Sequence, residues 1–261
     1  MNSQERVVRA VEFREPDRVP NGCYHLPGAL ERYGDRLLSL YKRYPRDFAE
    51  LYHWWHTSEL LKAYEAGTYK DVWGCLWRNI RPGLFGRVVE HPLKDLERLD
   101  SYEFPKPTDL IDFNLLAEAV EAGRKEGKYL LGDGENFYER IHWLHGFTET
   151  LIDITRERIE FKALMDRMLR FKLEFIDRWL ELDVDGIYFL DDWGTMEGLM
   201  VNPEKWRKLF KPCYSRMFQQ VHKKGCHVFF HSDGKVLEII HRDRSGRIEC
   251  PSIPYRFGSA Y

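Results

Sequence analysis

The sequence predicts an α/β protein, an incomplete (β/α)₈ TIM-type barrel of parallel strands, on three observations. Three apolar runs each stop at a cluster of ionisable residues: Lys128-Tyr-Leu-Leu-Gly132 before Asp133 and Glu135, Gly186-Ile-Tyr-Phe-Leu190 before Asp191 and Asp192, and Cys226-His-Val-Phe-Phe230 before His231 and Asp233. Helical sequence separates each run from the next, so the strands would be joined by right-handed parallel crossovers and their carboxyl ends would meet at one rim. The third observation favours a barrel over the main competitor. A doubly wound sheet with a nucleotide site wants a glycine-rich phosphate turn, whereas the glycine-dense exit here, Gly132-Asp-Gly-Glu135, carries two acids that would repel phosphate. Acids gathered in a half-buried place are costly unless they act there, although strand-to-helix loops also use such residues as plain helix caps.

The elements follow in order. Ser3 precedes a helical stripe from Gln4 to Phe13 that ends before Pro16, and Arg18-Val-Pro20 leads to a short extended stretch near Gly22-Cys-Tyr24. Helical sequence runs from Ala29 to Tyr44, and Asp47 to Trp55 reads as a second short strand. Val72 to Glu90, with Pro82-Gly83 inside it, reads as a hairpin, and His91 to Pro107 as a loop-rich wrap outside the main sheet. Beyond it come a helix from Phe113 to Glu126, the first marked strand, and helices over Phe137 to Ile154 and Glu157 to Leu182. The last has Phe161, Leu164, Met165, Met168, Leu169, Leu173, Ile176 and Leu180 on one stripe. The second marked strand, a helix from Pro203 to Lys224, the third marked strand and a short helix near Lys235 complete the pattern.

Only about five barrel strands can be found (near Val19, near Leu51 and the three marked runs), against eight in a closed barrel. After Ile240 neither an apolar stripe nor a strand signal remains. The expectation is one domain over 1–240 and an irregular tail over 241–261, a truncated or frame-shifted product lacking about three βα units. Open sheet edges would then favour poor solubility or swapping, and a homodimer is one assembly compatible with the chain.

Composition narrows the function. With 261 residues, 31% charged and 15% aromatic, the chain can bury a full core and is not disordered. A net charge of −2 gives no attraction to nucleic acid or to an anionic membrane. No apolar stretch approaches the ~20 residues of a membrane span, and Met1 to Arg6 lacks a signal's apolar core. The five cysteines are scattered, with no C-x-x-C pair, which argues for a reducing, cytoplasmic setting.

Several segments carry a resemblance. They are Glu5-Arg-Val-Val-Arg-Ala-Val-Glu-Phe-Arg-Glu-Pro-Asp-Arg-Val-Pro20, Lys70-Asp-Val-Trp-Gly74, Gly134 and Gly146 followed by Leu151-Ile-Asp153, and Asp185-Gly-Ile-Tyr-Phe-Leu-Asp-Asp-Trp-Gly194. Pro203-Glu-Lys-Trp206, Phe210-Lys-Pro212 and His231-Ser-Asp-Gly234 follow in the same order. Between Gln4 and Ile240 the chain resembles the uroporphyrinogen decarboxylase superfamily. That resemblance implies a (β/α)₈ barrel with its site at the carboxyl rim, the last three strands lying beyond the chain's end.

For the porphyrinogen decarboxylases the resemblance implies carboxyl removal from a polycarboxylate tetrapyrrole, in porphyrin biosynthesis, without metal or cofactor. Asp71 falls on the aspartate over the pyrrole nitrogens, His142 on the rim tyrosine and Asp192 near the rim serine. Where that branch has arginines, Tyr24-His-Leu-Pro-Gly-Ala-Leu-Glu-Arg32 offers Arg32 alone, and an acid-rich rim without an arginine clamp should reject many carboxylates. The corrinoid-dependent methyltransferases, the other branch, imply a His-x-Cys zinc pair and a corrinoid carried by a partner protein. His231 matches the histidine, while Asp233 stands where the cysteine would be. A spacing of two on an extended segment puts both side chains on one face, as chelation needs, and a carboxylate is a harder donor than sulfur.

Three readings therefore stand. The first is methyl transfer from a small methylated substrate, with His231 and Asp233 holding Zn2+ and Asp191 as third ligand or support. The second is cofactor-free decarboxylation through Asp71; the third is an inactive truncated remnant. Candidate catalytic residues are Asp71, His142, Asp191 and Asp192, of which the adjacent pair cannot share a face. Tyr24, His25, Glu135, Tyr188 and Trp193 are candidate substrate contacts; Trp193 with the Trp54-Trp55 pair could form an aromatic wall for a ring-shaped ligand, and these three could equally be packing. Asp71 has a turn role as its alternative. Glu139 is explained by the helix dipole alone.

Overall fold

The computed structural model describes residues 1–22, 24–49, 51, 62, 64–242 and 248–249. The chain forms two compact units, Met1–Lys94 with Tyr102–Leu131, and Asp95–Ser101 with Gly132–Tyr261.

In the first unit, helix α1 (Ser3–Val11) starts under the side chain of Asn2, which accepts from the Glu5 backbone N–H at 2.8 Å. It buries Arg6 and Val7. The charge of Arg6 is tolerated because its guanidinium donates to Asp47 Oδ1 at 2.6 Å and to Asp17 Oδ1 at 2.6 Å. Arg18 Nη1 and the Asn21 N–H both donate to Asp47 Oδ2 at 2.7 Å. The Glu-Pro-Asp-Arg-Val-Pro segment thus closes around one fully buried carboxylate, Asp47. This use of its polar groups is why no strand forms near Val19, where the sequence suggests one; Val19 is exposed.

The suggested helix from Ala29 to Tyr44 is two helices, α2 (Pro27–Tyr33) and α3 (Asp35–Arg43), parted at Gly34, whose φ of +46° suits glycine. Within the strand expected over Asp47 to Trp55, Phe48 forms a parallel bridge to Tyr129; positions 50 and 52–55, including Trp54 and Trp55, lie outside the described residues. The expected hairpin is present and carries a third strand. β1 (Gly67–Lys70), β2 (Leu76–Asn79) and β3 (Arg87–Glu90) pair antiparallel in that order. The short α4 (Pro107–Leu110) and α5 (Phe113–Lys125), capped by Asp112, follow.

The second unit carries the parallel sheet, β4 (Leu131–Asp133), β5 (Gly186–Leu190) and β6 (His227–His231), in that order. β5 and β6 pair from Gly186↔His227 to Leu190↔His231, so both strands end at the same level. The β4–β5 crossover holds α6 (Tyr138–His145), α7 (Phe147–Arg156) and the 22-residue α8 (Ile159–Leu180). α6 and α7 are separated at Gly146, where one helix was expected. The β5–β6 crossover holds α9 (Pro203–Leu209) and α10 (Lys211–Lys223), whose restart places Pro212 in its first turn. α8 buries its expected stripe, Leu173 excepted, and also Phe171, Lys172, Phe175 and Trp179. Leu96–Ser101 forms a 3₁₀ turn against α8. The helix expected at Lys235 is one 3₁₀ turn, Leu237–Ile239, and within the tail expected to be irregular β7 (His241–Arg242) pairs with β8 (Ile248–Glu249). Among the described residues no helix is long and apolar enough to cross a membrane.

Burial by itself would raise the Asp47 acid, but hydrogen bonds from Arg18, the Asn21 backbone, Ser3 and Arg6 outweigh it and hold the group down at about 2, against an ordinary 3.8. A depressed acid stabilises the fold above its ordinary value and loses that contribution as pH falls through its folded value. The stability gap between the wild type and Asp47→Asn should therefore shrink as pH drops from about 4 to 2, read from urea unfolding at each pH. A gap independent of pH would show that Asp47 is not held as an anion.

Candidate active site

All three strand exits of the second unit carry the expected ionisable residues, and the strand pleat decides where each points. On β5, Ile187 and Phe189 face the core, and Asp191 continues that face, only 1% exposed. Its carboxylate accepts from the backbone N–H groups of Phe137 and Glu139, both at 2.9 Å, and from the Tyr214 hydroxyl at 2.7 Å. Asp191 thereby caps the start of α6, where no local side chain does so. Burial pushes Asp191 up to about 6, against the pull of the Glu139 N–H, the Tyr214 hydroxyl, the Lys172 charge and the Phe137 N–H. Tyr214, on α10, is pushed well above the ordinary phenol range by burial and by the Asp191 charge, so it keeps its proton.

The β4 exit holds a buried ionic group. Glu135 takes φ +53°, with its N–H donating to Asp133 Oδ1 at 2.8 Å. Its carboxylate pairs with Arg140, at 2.7 Å from Nε and 2.6 Å from Nη2, and with Lys172 of α8. Lys172 is fully buried; burial pulls it below the ordinary lysine range while Asp191 and Asp133 hold it up. Burial likewise raises Asp133 to about 7 against Lys172 and Arg140. Glu139, in the first turn of α6, is raised to about 8 by burial and by the charges of Asp191 and Asp192, with Asn136 and Arg140 opposing. The helix dipole would lower it, so the account that suffices for the sequence is overruled by burial first and by neighbouring charge second.

The outward residues form a separate cluster. His231 Nε2 lies 3.2 Å from Asp233 Oδ1 and 3.8 Å from Asp192 Oδ1. Asp192 Oδ1 also accepts from the Asp233 N–H at 2.8 Å. One donor atom from each of the three residues lies within 4.8 Å of the other two, an arrangement that can hold a metal ion. The expected His231–Asp233 pair is therefore assembled, but the third donor is Asp192 and not Asp191, which is turned inward onto the α6 start. The β5 and β6 exit loops touch through backbone: the Gly194 N–H donates to Asp233 O at 3.2 Å, and a Cβ on Gly194 would lie 2.6 Å from Lys235 N and 2.7 Å from Gly234 C. One imidazole nitrogen and two carboxylates are a nitrogen–oxygen donor set that suits a divalent cation and lacks the soft sulfur of a thiolate site.

The remaining candidates fall elsewhere. Tyr188 is half-buried and its ring lies 6.4 Å from that of His231. Trp193 is fully buried, stacked at 4.0 Å on Tyr138, with Nε1 donating to Tyr214 at 3.1 Å; it is packing and not a ligand wall. Glu135, expected to meet substrate, is instead the buried partner of Lys172 and Arg140. His142 meets Tyr138 and Phe147 edge-on, at 5.2 and 5.4 Å, on α6. In the first unit Asp71 closes the β1–β2 turn: its oxygens accept from Cys75 N and Trp77 Nε1, each at 2.8 Å, so the turn role is the one built. Tyr24 is exposed, and His25 Nδ1 lies 2.8 Å from the Tyr41 hydroxyl.

Sequence reasoning misses Lys172, Arg140 and Tyr214. Lys172 had a signal: it lies four residues after Met168 and four before Ile176, a lysine in the buried stripe. Removing one member of a buried ion pair is expensive. Lys172→Met should lower stability by about 3 kcal/mol, and the double variant with Glu135→Gln should lose less than the sum of the two single losses, although the second substitution also costs Arg140 its partner. Additive losses in a urea-unfolding cycle would show that the two charges are not coupled. Gly194→Ala should destabilise by about 1–3 kcal/mol, since the new methyl group meets backbone and not a movable side chain; an unchanged midpoint would mean the loops separate freely.

Comparison with known proteins agrees with this geometry. The family model for uroporphyrinogen decarboxylase (URO-D) matches residues 85–253. No curated protein matches the chain. Among solved structures, a methyltransferase from Methanosarcina mazei superposes with a TM-score of 0.62, covering 92% of this chain and 72% of its own, at 12% identity, which speaks for the fold alone. With a parallel α/β sheet, acids and a histidine at its carboxyl ends, and a family match over more than half its length, the chain belongs to the uroporphyrinogen decarboxylase family.

Proposed function

We propose that this chain is a metal-assisted methyltransferase of the family, built as a TIM-type barrel with its site at the carboxyl rim. It would take the methyl group of a small methylated substrate and pass it to a corrinoid carried by a partner protein. The observation that carries this reading is the meeting of Asp192, His231 and Asp233 at the level where β5 and β6 end. His231 would bind a divalent cation, zinc by preference, through Nε2, and Asp192 and Asp233 through their carboxylates. When bound, such a cation supplies Lewis acidity at the heteroatom that bears the methyl group. The chain's own part is to hold three donors in place, to set Tyr188 beside the His231 ring, and to keep Glu139 protonated at neutral pH.

Decarboxylation is less well supported. It needs the Asp71 carboxylate over a pyrrole ring, and that carboxylate accepts from Cys75 and Trp77.

Elemental analysis of protein incubated with Zn2+ and desalted should find about one zinc per chain. His231→Ala should lose the metal and, with it, demethylation of a methylated substrate panel. Absence of stoichiometric zinc, together with unchanged activity on His231→Ala, would remove the methyltransferase reading.

A further inference from the structure

Among the three cluster residues, Asp192 is the one that sits between two firmly held chain neighbours, Asp191 and Trp193. Its side chain is about one-third exposed, at 36%, and accepts from the Asp233 N–H at 2.8 Å. Its chain neighbours are fixed much more firmly. Asp191 Oδ2 accepts from the Tyr214 hydroxyl at 2.7 Å, and the same hydroxyl oxygen accepts from Trp193 Nε1 at 3.1 Å. A phenol has one donor and two acceptor sites, so a single buried Tyr214 serves both neighbours at once. Residues 191 and 193 share one face of the extended chain and 192 takes the other. Gripping the inner pair therefore turns Asp192 outward. The Trp193 N–H is tied in addition to Ser232 Oγ, at 3.0 Å, in the loop between the two other cluster members.

We infer that Tyr214 positions Asp192, aiming that carboxylate at His231 by anchoring both of its chain neighbours through one buried hydroxyl. The inference rests on the reading of Asp192, His231 and Asp233 as a cation site. Among the described residues Tyr214 makes no hydrogen bond or ring contact with any of the three side chains. It is a positioning residue one step further out than the direct hydrogen-bond partners of ligands, whose loss weakens metal sites 10- to 100-fold, so its effect belongs at the low end of that range. Removing its hydroxyl would leave the fully buried Trp193 Nε1 without its acceptor and Asp191 with two donors instead of three.

Calorimetric titration with Zn2+ alone tests this in a cycle of wild type, Tyr214→Phe, Asp192→Ala and the double variant, with thermal melting to follow the fold. Tyr214→Phe should weaken Zn2+ binding about tenfold. In the Asp192→Ala background the same substitution should change affinity by less than about twofold, because the ligand it positions is gone. Equal affinity of wild type and Tyr214→Phe would overturn the inference, and so would an equal loss in both backgrounds, the mark of a merely structural role. If Tyr214→Phe does not fold, Trp193→Phe keeps an aromatic ring, removes the Nε1 donor that Tyr214 holds, and should also weaken Zn2+ only when Asp192 is present; an unchanged affinity overturns the inference. Failure of the wild type itself to bind Zn2+ overturns the cation reading, and the inference with it.

Discussion

The hydrogen-bonded carboxylate of Asp191 is the constraint from which the second unit's site follows. It joins three elements at one point: the end of β5, the start of α6 through two backbone N–H groups, and α10 through the Tyr214 hydroxyl. Hydrogen bonds to a charged acceptor are among the stronger ones, and burial makes an unpaired carboxylate expensive, so the three elements cannot drift independently. With Asp191 turned inward, alternation along the chain sends Asp192 outward. The register Leu190↔His231 then delivers His231 to the same level, and Asp233 follows two residues on. Placement of the outer cluster is thus a consequence of an inner contact.

Buried charge recurs wherever chain segments must be locked, and always with partners. Glu135 lies between Arg140 and Lys172, and Asp47, in the first unit, between Arg6 and Arg18. These groups explain why a chain that is 31% charged can still bury ionisable side chains. They also separate two duties that look alike in sequence. Strand exits rich in acids contain both locks, such as Asp191 and Glu135, and outward residues available to a ligand, such as Asp192 and Asp233. An acid-dense strand exit is therefore evidence of a junction first and of chemistry second.

Much of the architecture was legible because it depends on local pattern. The three apolar runs are the three parallel strands, and the α8 stripe is buried nearly as its 3.6-residue spacing requires. Helix breaks at Gly34, at Gly146 and just before Pro212 were visible as residue types, yet apolar spacing continues across them, so pattern alone joins the pieces. The meeting of His231 with Asp233 follows from a spacing of two. The choice between Asp191 and Asp192 did not, because it turns on what waits on each side of the strand. Tyr214, Phe137 and Glu139 lie far from residue 191 in sequence, and nothing local announces that they converge there. Asp71 was ambiguous for a different reason: its partners Cys75 and Trp77 are close in sequence, but the turn that makes them partners appears only in three dimensions. The strand expected near Val19 fails because the polar groups around it are committed to Asp47.

The most direct measurement is anomalous diffraction at the zinc edge from crystals grown with Zn2+. A cation held by Asp192, His231 and Asp233 predicts one strong peak about 2.0–2.2 Å from His231 Nε2 and from a carboxylate oxygen of each aspartate. A map with no peak there, in crystals whose His231 and Asp233 are ordered, would contradict the account.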